Sequence, residues 1–130
     1  MAFIFQRKAT GGPNWNGREG LTTPPAMIGI DGDSLINTAA VPPFEATATS
    51  PGVVDASGTT GLLLEFTQYF RELNSISLVE VSNDGGNTWF SFPVNESIGP
   101  NIETYNANTV TLDITNVAAG SSQVQVRFRI

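Results

Sequence analysis

Two short stretches of this 130-residue chain bring oxygen-bearing side chains close enough together to do chemistry. In "SNDGGNTW", Ser82, Asp84 and Thr88 bracket Gly85 and Gly86 and lead into Trp89. In "IDGDSLIN", Asp31 and Asp33 alternate about Gly32, so two carboxylates and nearby carbonyls can converge on a hard cation. Calcium takes about six to eight oxygens, which loop carbonyls help to supply. The stretch is no EF-hand, because the bidentate Glu of that loop is missing. Two readings stay open for Asp31 and Asp33: a structural calcium that braces loops, or an ordinary turn rich in Asp and Asn.

Hydrolytic chemistry is poorly provided for. Glycoside cleavage needs two carboxyl groups facing each other across a sugar, one with a raised pKa. The chain has 12 acidic residues, yet no motif singles out a pair. Glu65 and Glu80 fall within alternating strands, where exposure on a sheet face would leave them ordinary. Histidine is absent, so a Ser-His-Asp arrangement cannot form, and neither can a histidine-ligated zinc site. Cysteine is absent as well, which excludes disulfides and thiolate metal sites. No enzyme is expected.

Aromatic rings are the remaining functional device, since sugars stack on exposed indole and phenol faces. Trp15 in "GPNWNG" and Tyr105 in "NIETYNAN" lie outside the strand patterns, and Tyr69 lies on the outer face of its strand. All three are candidate ligand contacts; the competing reading makes them loop anchors or cover residues.

The bulk properties narrow the partners. Net charge is −6, and the six basic residues (Arg7, Lys8, Arg18, Arg71, Arg127 and Arg129) are too scattered to track phosphates. Nucleic acid and anionic membrane surfaces are therefore not expected. Charged residues make up 14% of the chain, about half the usual share, which argues against helix surfaces rich in Glu, Lys and Arg. The opening "MAFIFQRKAT" has too short an apolar run for a secretory signal, and its charges follow that run. No stretch approaches the roughly 18 apolar residues of a membrane helix.

The elements that must position these residues read as strands. Residues 1–60 are rich in loops, with short strand candidates at Ala2–Gln6, Met27–Asp31 and within Phe44–Ser50. From residue 61 onward the alternation sharpens. "LLLEFTQYF" sets Leu62, Leu64, Phe66 and Phe70 against Leu63, Glu65, Thr67 and Tyr69. "ISLVEVS", "TWFSFPV", "TVTLDIT" and "QVQVRFRI" follow, each with period two and bounded by turn residues, the pattern of half-buried antiparallel strands. The outward Arg127 and Arg129 of the last run read as protection of a sheet edge. "NESIGPNIETYNAN" (95–108) is a polar loop long enough to suggest function. "TNVAAGSS" predicts one helical turn capped by Thr115 or Asn116 and stopped by Gly120. The chain reads as a single domain over 1–130. Its predicted class is all-β, an antiparallel two-sheet β-sandwich.

The pattern S-x-D-x-G-x-T-W of Ser82–Trp89 resembles the Asp-box that sialidases and other propeller enzymes repeat. A propeller needs several four-stranded blades, commonly each with its own copy, and this chain has one copy. Ser82, Asp84, Gly86, Thr88 and Trp89 are therefore expected to staple a turn. Glycine supplies positive φ there, and the Asp side chain accepts from nearby amides.

Residues 61–130 carry a broader resemblance. The strand "LEFTQYF", the hairpin "VEVSNDGGNTW", the loop "VNES" and the close "NVAAGSSQVQVRF" occur in that order. They resemble the jelly-roll accessory modules, akin to MAM, laminin-G and concanavalin-type sandwiches, of Bacteroidetes cell-surface and type IX-secreted proteins. The resemblance implies a non-catalytic module of an extracellular or surface assembly, contacting neighbouring domains or identical subunits through sheet edges. A calcium-assisted carbohydrate-binding module is the alternative. Members of the group continue past the R-F strand into a Trp-bearing segment and a further strand. The resemblance thus implies a sandwich short of its final strand at Ile130, either excised from a longer protein or completed by a partner.

Overall fold

The computed structural model describes the backbone of residues 2–6, 27–31, 45–72, 75–104 and 108–130, and side chains from residue 45 onward. Trp15, Asp33 and Tyr105 lie outside the described residues. Of Asp31 only the backbone is described, at the end of a strand.

Among the described residues, eight strands account for nearly every alternating run: β1 (Ala2–Gln6), β2 (Met27–Asp31), β3 (Thr47–Thr49), β4 (Leu63–Phe70), β5 (Ser77–Ser82), β6 (Phe90–Val94), β7 (Asn108–Asp113) and β8 (Gln125–Arg129). They form two four-stranded sheets, in the orders β2-β1-β4-β7 and β3-β8-β5-β6. Among the described residues the one helix is α1 (Thr115–Ala118). The fold class is all-β, as the alternation predicts. The second sheet is antiparallel at each of its pairings. In the first sheet, β1 pairs in parallel with both β2 and β4, which departs from the expectation of antiparallel strands throughout. Period-two alternation is the same for either direction, so it carries no information on that point.

The chain divides into two compact, interleaved units. The first comprises residues 1–46, 66–75 and 95–110. Here Phe66 and Phe70 are buried, and Gln68 between them is wholly buried on the same face of β4. A buried amide needs partners. Gln68 finds one in Asn95, donating from Nε2 to Asn95 Oδ1 at 2.5 Å and accepting from Asn95 Nδ2 at 3.2 Å. Asn95 reaches it from a left-handed backbone conformation, φ 68°. The polar segment after Asn95 lies beside the end of β4: Thr104 N donates to Phe70 O, Glu72 N to Ile102 O, and Asn101 N to Glu72 O.

The second unit comprises residues 47–65, 76–94 and 111–130. Its core cluster is Ala56, Val81, Ile114, Ala118 and Val124, with Leu62, Leu64, Phe92, Leu112, Val117 and Val126 packed against it. These are mostly the apolar positions of the alternating runs. Val79 and Phe128 are buried and face each other across β5 and β8. α1 follows β7 directly. Its cap position is occupied by Ile114, not by Thr115 or Asn116, and no side chain caps it. Instead Thr115 N donates to Asp113 Oδ1, while the Thr115 hydroxyl accepts from Leu62 N. Gly120 (φ 80°) ends the turn as expected.

β8 is not a sheet edge. It lies between β3 and β5 and pairs with both, so the reading of Arg127 and Arg129 as edge protection does not hold. The edges of this sheet are β3, of three residues, and β6.

Phe128→Ala removes a side chain 2% exposed at the centre of this sheet. It should lower stability by about 3–5 kcal/mol, seen as a fall in the urea midpoint with little change in slope.

Candidate functional site: the Ser82–Trp89 turn and the sheet face it closes

The turn joins β5 to β6. Gly85 (φ 72°) and Gly86 (φ 92°) reverse the chain in backbone conformations that side chains rarely adopt. At Gly86 a Cβ would in addition crowd the Trp89 ring, 3.3 Å away, and displace the Gln125 amide, 2.6 Å away. The Asp84 carboxylate organises everything else. Its Oδ1 accepts from Ser82 Oγ (2.7 Å), Asn87 N (3.0 Å) and Thr88 N (2.9 Å), and its Oδ2 accepts from Thr88 Oγ1 (2.6 Å). Ser82 Oγ also accepts from Asp84 N and Gly86 N. Trp89 closes the turn by donating from Nε1 to Gly86 O at 3.0 Å.

The turn is docked to its own unit as well. Gly85 N donates to Gln123 O, Ser121 Oγ to Asn83 O, and Asn83 Nδ2 to Val117 O. The hydrogen bonds from the Ser82 and Thr88 side chains, then those from the backbone of Thr88 and Asn87, hold the Asp84 carboxyl down at about 2. An ionised carboxylate surrounded by donors is a staple. It is the opposite of the raised-pKa acid that glycoside cleavage needs.

Strand register extends this turn into a polar face. With Val79 and Val81 directed inward, Leu78, Glu80 and Ser82 face outward. Opposite Glu80 stand Arg127 on β8 and Ser91 on β6; opposite Arg127 stands Thr49 on β3. The next row is Thr47, Arg129, Leu78 and Pro93. Glu80 was expected to be exposed and ordinary, but it is 3% exposed. Arg127 Nε donates to its Oε2 at 2.5 Å, Arg129 Nη2 lies 3.5 Å from Oε1, and Ser91 Oγ donates to Oε1 at 3.1 Å. The long guanidinium side chains fold over the shorter carboxylate, which period-two reading cannot foresee. Burial pushes the Glu80 carboxyl up, but the Arg127 and Ser91 hydrogen bonds and both arginine charges outweigh it and leave it below its ordinary value. The Arg127 guanidinium also lies 4.2 Å from the centroid of the Trp89 ring, in cation–π contact. Asp84 is thus linked through Ser82 and Gly86 to Trp89, and Trp89 through Arg127 to Glu80.

The other candidate residues are not brought to this face. Tyr69 was expected on an outer strand face as a ligand platform. It is 6% exposed, and its hydroxyl donates to Glu103 Oε2 at 2.5 Å. Residues 101–104, bonded to the backbone at the end of β4, bring Glu103 to the Tyr69 hydroxyl, and alternation within β4 carries no sign of that neighbour. Among the described residues no group of three or more Asp, Glu, His or Cys gathers in a way that could hold a metal ion. Among them, too, no helix is long and apolar enough to cross a membrane.

Sequence reasoning missed the clustering of Glu80 with Arg127 and Arg129. The available signal was an acid in "VEVS" and two bases in "VRFR" at equivalent outward positions of two strands that both pack their valines inward. Comparison with known proteins finds no matching family model, no matching curated protein and no matching solved structure.

Two measurements follow from this geometry. Glu80→Ala leaves two guanidinium groups without their shared carboxylate. It should cost about 3 kcal/mol in urea unfolding, the lower end for breaking a buried ion pair, because the arginines remain partly in water. The pH dependence has a definite sign. The Asp84 pKa falls from 3.8 in the absence of these contacts to about 2 when folded. Its contribution is therefore present above about pH 4 and lost as pH falls toward 2. In thermal melts across that window, Asp84→Asn should show a shallower fall in Tm than the parent chain, together with a lower Tm at neutral pH.

Proposed function

We propose that this chain is a non-catalytic structural and interaction module with a jelly-roll-type sandwich fold, working in an exported or cell-surface assembly and joined to neighbours through a sheet edge. The observation that carries this reading is the use made of its carboxylates. Asp84 and Glu80, the two best-placed acids among the described residues, are both ionised and saturated with donors that build the fold. The order of strand, hairpin, loop and closing strand over residues 61–130, with its resemblance to secreted accessory modules, supports the same reading.

The edge that suits a partner strand is β6. β3 offers three residues, a short edge of the kind that discourages pairing. β6 offers five, and its Phe90 is 47% exposed although it occupies an inward-facing position opposite Val81. A strand added beside β6 would bring side chains over Phe90, which gives such pairing an apolar driving force in addition to its backbone hydrogen bonds. Pro93 removes one donor from that edge and so restricts the registers a partner can take.

The test is the mass of the full chain in solution by light scattering, over a range of concentrations, with calcium and with chelator. The expected outcome is association that rises with concentration and is abolished by Phe90→Lys without loss of the folded circular-dichroism spectrum. A chain that stays monomeric at every concentration would remove self-association, leaving neighbouring domains as the partners to be tried. Turnover of a glycoside or peptide by the pure chain would overturn the non-catalytic reading altogether.

A further inference from the structure

The Ser82–Trp89 turn contains an Asp–Gly step, Asp84–Gly85. Among aspartyl steps this is the one in which backbone rearrangement is easiest, because glycine has no Cβ to obstruct attack by its nitrogen. The Gly85 nitrogen forms a bond to Asp84 Cγ, and one carboxyl oxygen departs as water together with the amide and carboxyl protons. The product is a five-membered succinimide. Addition of water to its side-chain-derived carbonyl restores aspartate. Addition to the main-chain-derived carbonyl gives isoaspartate, in which the backbone runs through Cγ. The net composition is unchanged, and water is the only co-reactant.

We infer that the turn is a latent isomerisation site: the hydrogen bonds that build it also keep the Asp84–Gly85 step inert, and the step becomes reactive only when the turn opens. Three features carry this. The attacking nitrogen is occupied, since Gly85 N donates to Gln123 O at 3.0 Å. The electrophilic carbon is tethered, since both its oxygens are held by donors, Oδ1 by Ser82 Oγ, Asn87 N and Thr88 N and Oδ2 by Thr88 Oγ1, and rotation of the carboxylate toward attack must break them. Glycine is favoured at position 85 by its backbone, since φ is 72°, in the left-handed region that side chains rarely adopt. The turn thus favours a labile dipeptide and shields it with its own donors. The depressed Asp84 pKa acts in the same direction, because the ionised carboxylate is a poor electrophile.

The consequence is a covalent record of unfolding. Isoaspartate lengthens the main chain by one atom and shortens the arm of the remaining carboxylate. A chain modified at this step cannot present both oxygens to Ser82 and Thr88, so β5 and β6 lose the staple that joins them. This goes beyond the proposed role as an interaction module and does not depend on it.

The experiment is peptide mapping with isoaspartate quantification at Asp84, on the full chain incubated at mildly acidic pH and physiological temperature, native and in concentrated urea. The other steps of this type, Asp31–Gly32 and Asn16–Gly17, serve as references for intrinsic chemistry in the urea sample. The native chain should isomerise at Asp84 at least ~10-fold more slowly than the same chain in urea, the factor that a single hydrogen bond to a charged group supplies. Thr88→Val removes one donor and should raise the native rate several-fold while leaving the urea rate unchanged. Ser82→Ala, with circular dichroism to verify folding, gives an independent second variant. Equal native and urea rates would overturn the inference, whatever the variants do. So would a folded Thr88→Val or Ser82→Ala chain whose native rate matches the parent's.

Discussion

One carboxylate holds the second unit in register. Asp84 gathers four donors from Ser82, Asn87 and Thr88 and so defines where β5 ends and β6 begins. A shift of one residue there would exchange the inward and outward faces of β6, moving Phe92 and Val94 away from the core and setting Ser91 against it. It would also separate Ser91 from Glu80. The inward placement of Val79 and Val81 and the outward placement of Glu80 follow from the same register, and β8 reads its own pairing from β5. Turn, core and ion cluster are thus parts of one arrangement.

The ion cluster shows how long side chains on neighbouring strands close over a charge on a sheet face. Glu80 is short and Arg127 and Arg129 are long, so the arginines reach across the carboxylate and exclude water from it. Burying a charge is costly unless it is paired and hydrogen-bonded, and here Ser91 supplies a further donor. Trp89 adds a flat face for Arg127 and at the same time ties down the turn through its ring nitrogen. The stacked guanidinium loses little freedom in forming its bond to Glu80, because its orientation is already set.

The first unit depends on a different polar contact, the paired amides of Gln68 and Asn95. A glutamine at an inward position of an apolar strand is unfavourable unless both its groups are satisfied, and a left-handed Asn95 is what brings the matching amide to it. The segment that follows lies beside the end of β4 through main-chain bonds, which explains why "NESIGPN" is polar yet ordered by partners. Both units thus satisfy buried polar side chains with specific partners and use apolar ones to supply the driving force.

Strand positions, the all-β class, the inward apolar set of the second unit and the local role of Ser82–Trp89 were all legible in the sequence. Each depends on residues close together in the chain, through period-two alternation and turn chemistry acting over a few residues. Four features required the tertiary structure: the parallel pairing of β1, the interior place of β8, the burial of Tyr69 and the closure of Arg127 and Arg129 over Glu80. These depend on which strands become neighbours, and strands far apart in sequence choose their neighbours by packing. Alternation says that a residue faces outward from its own sheet. Only the fold decides whether water, a loop or a pair of arginines meets it there.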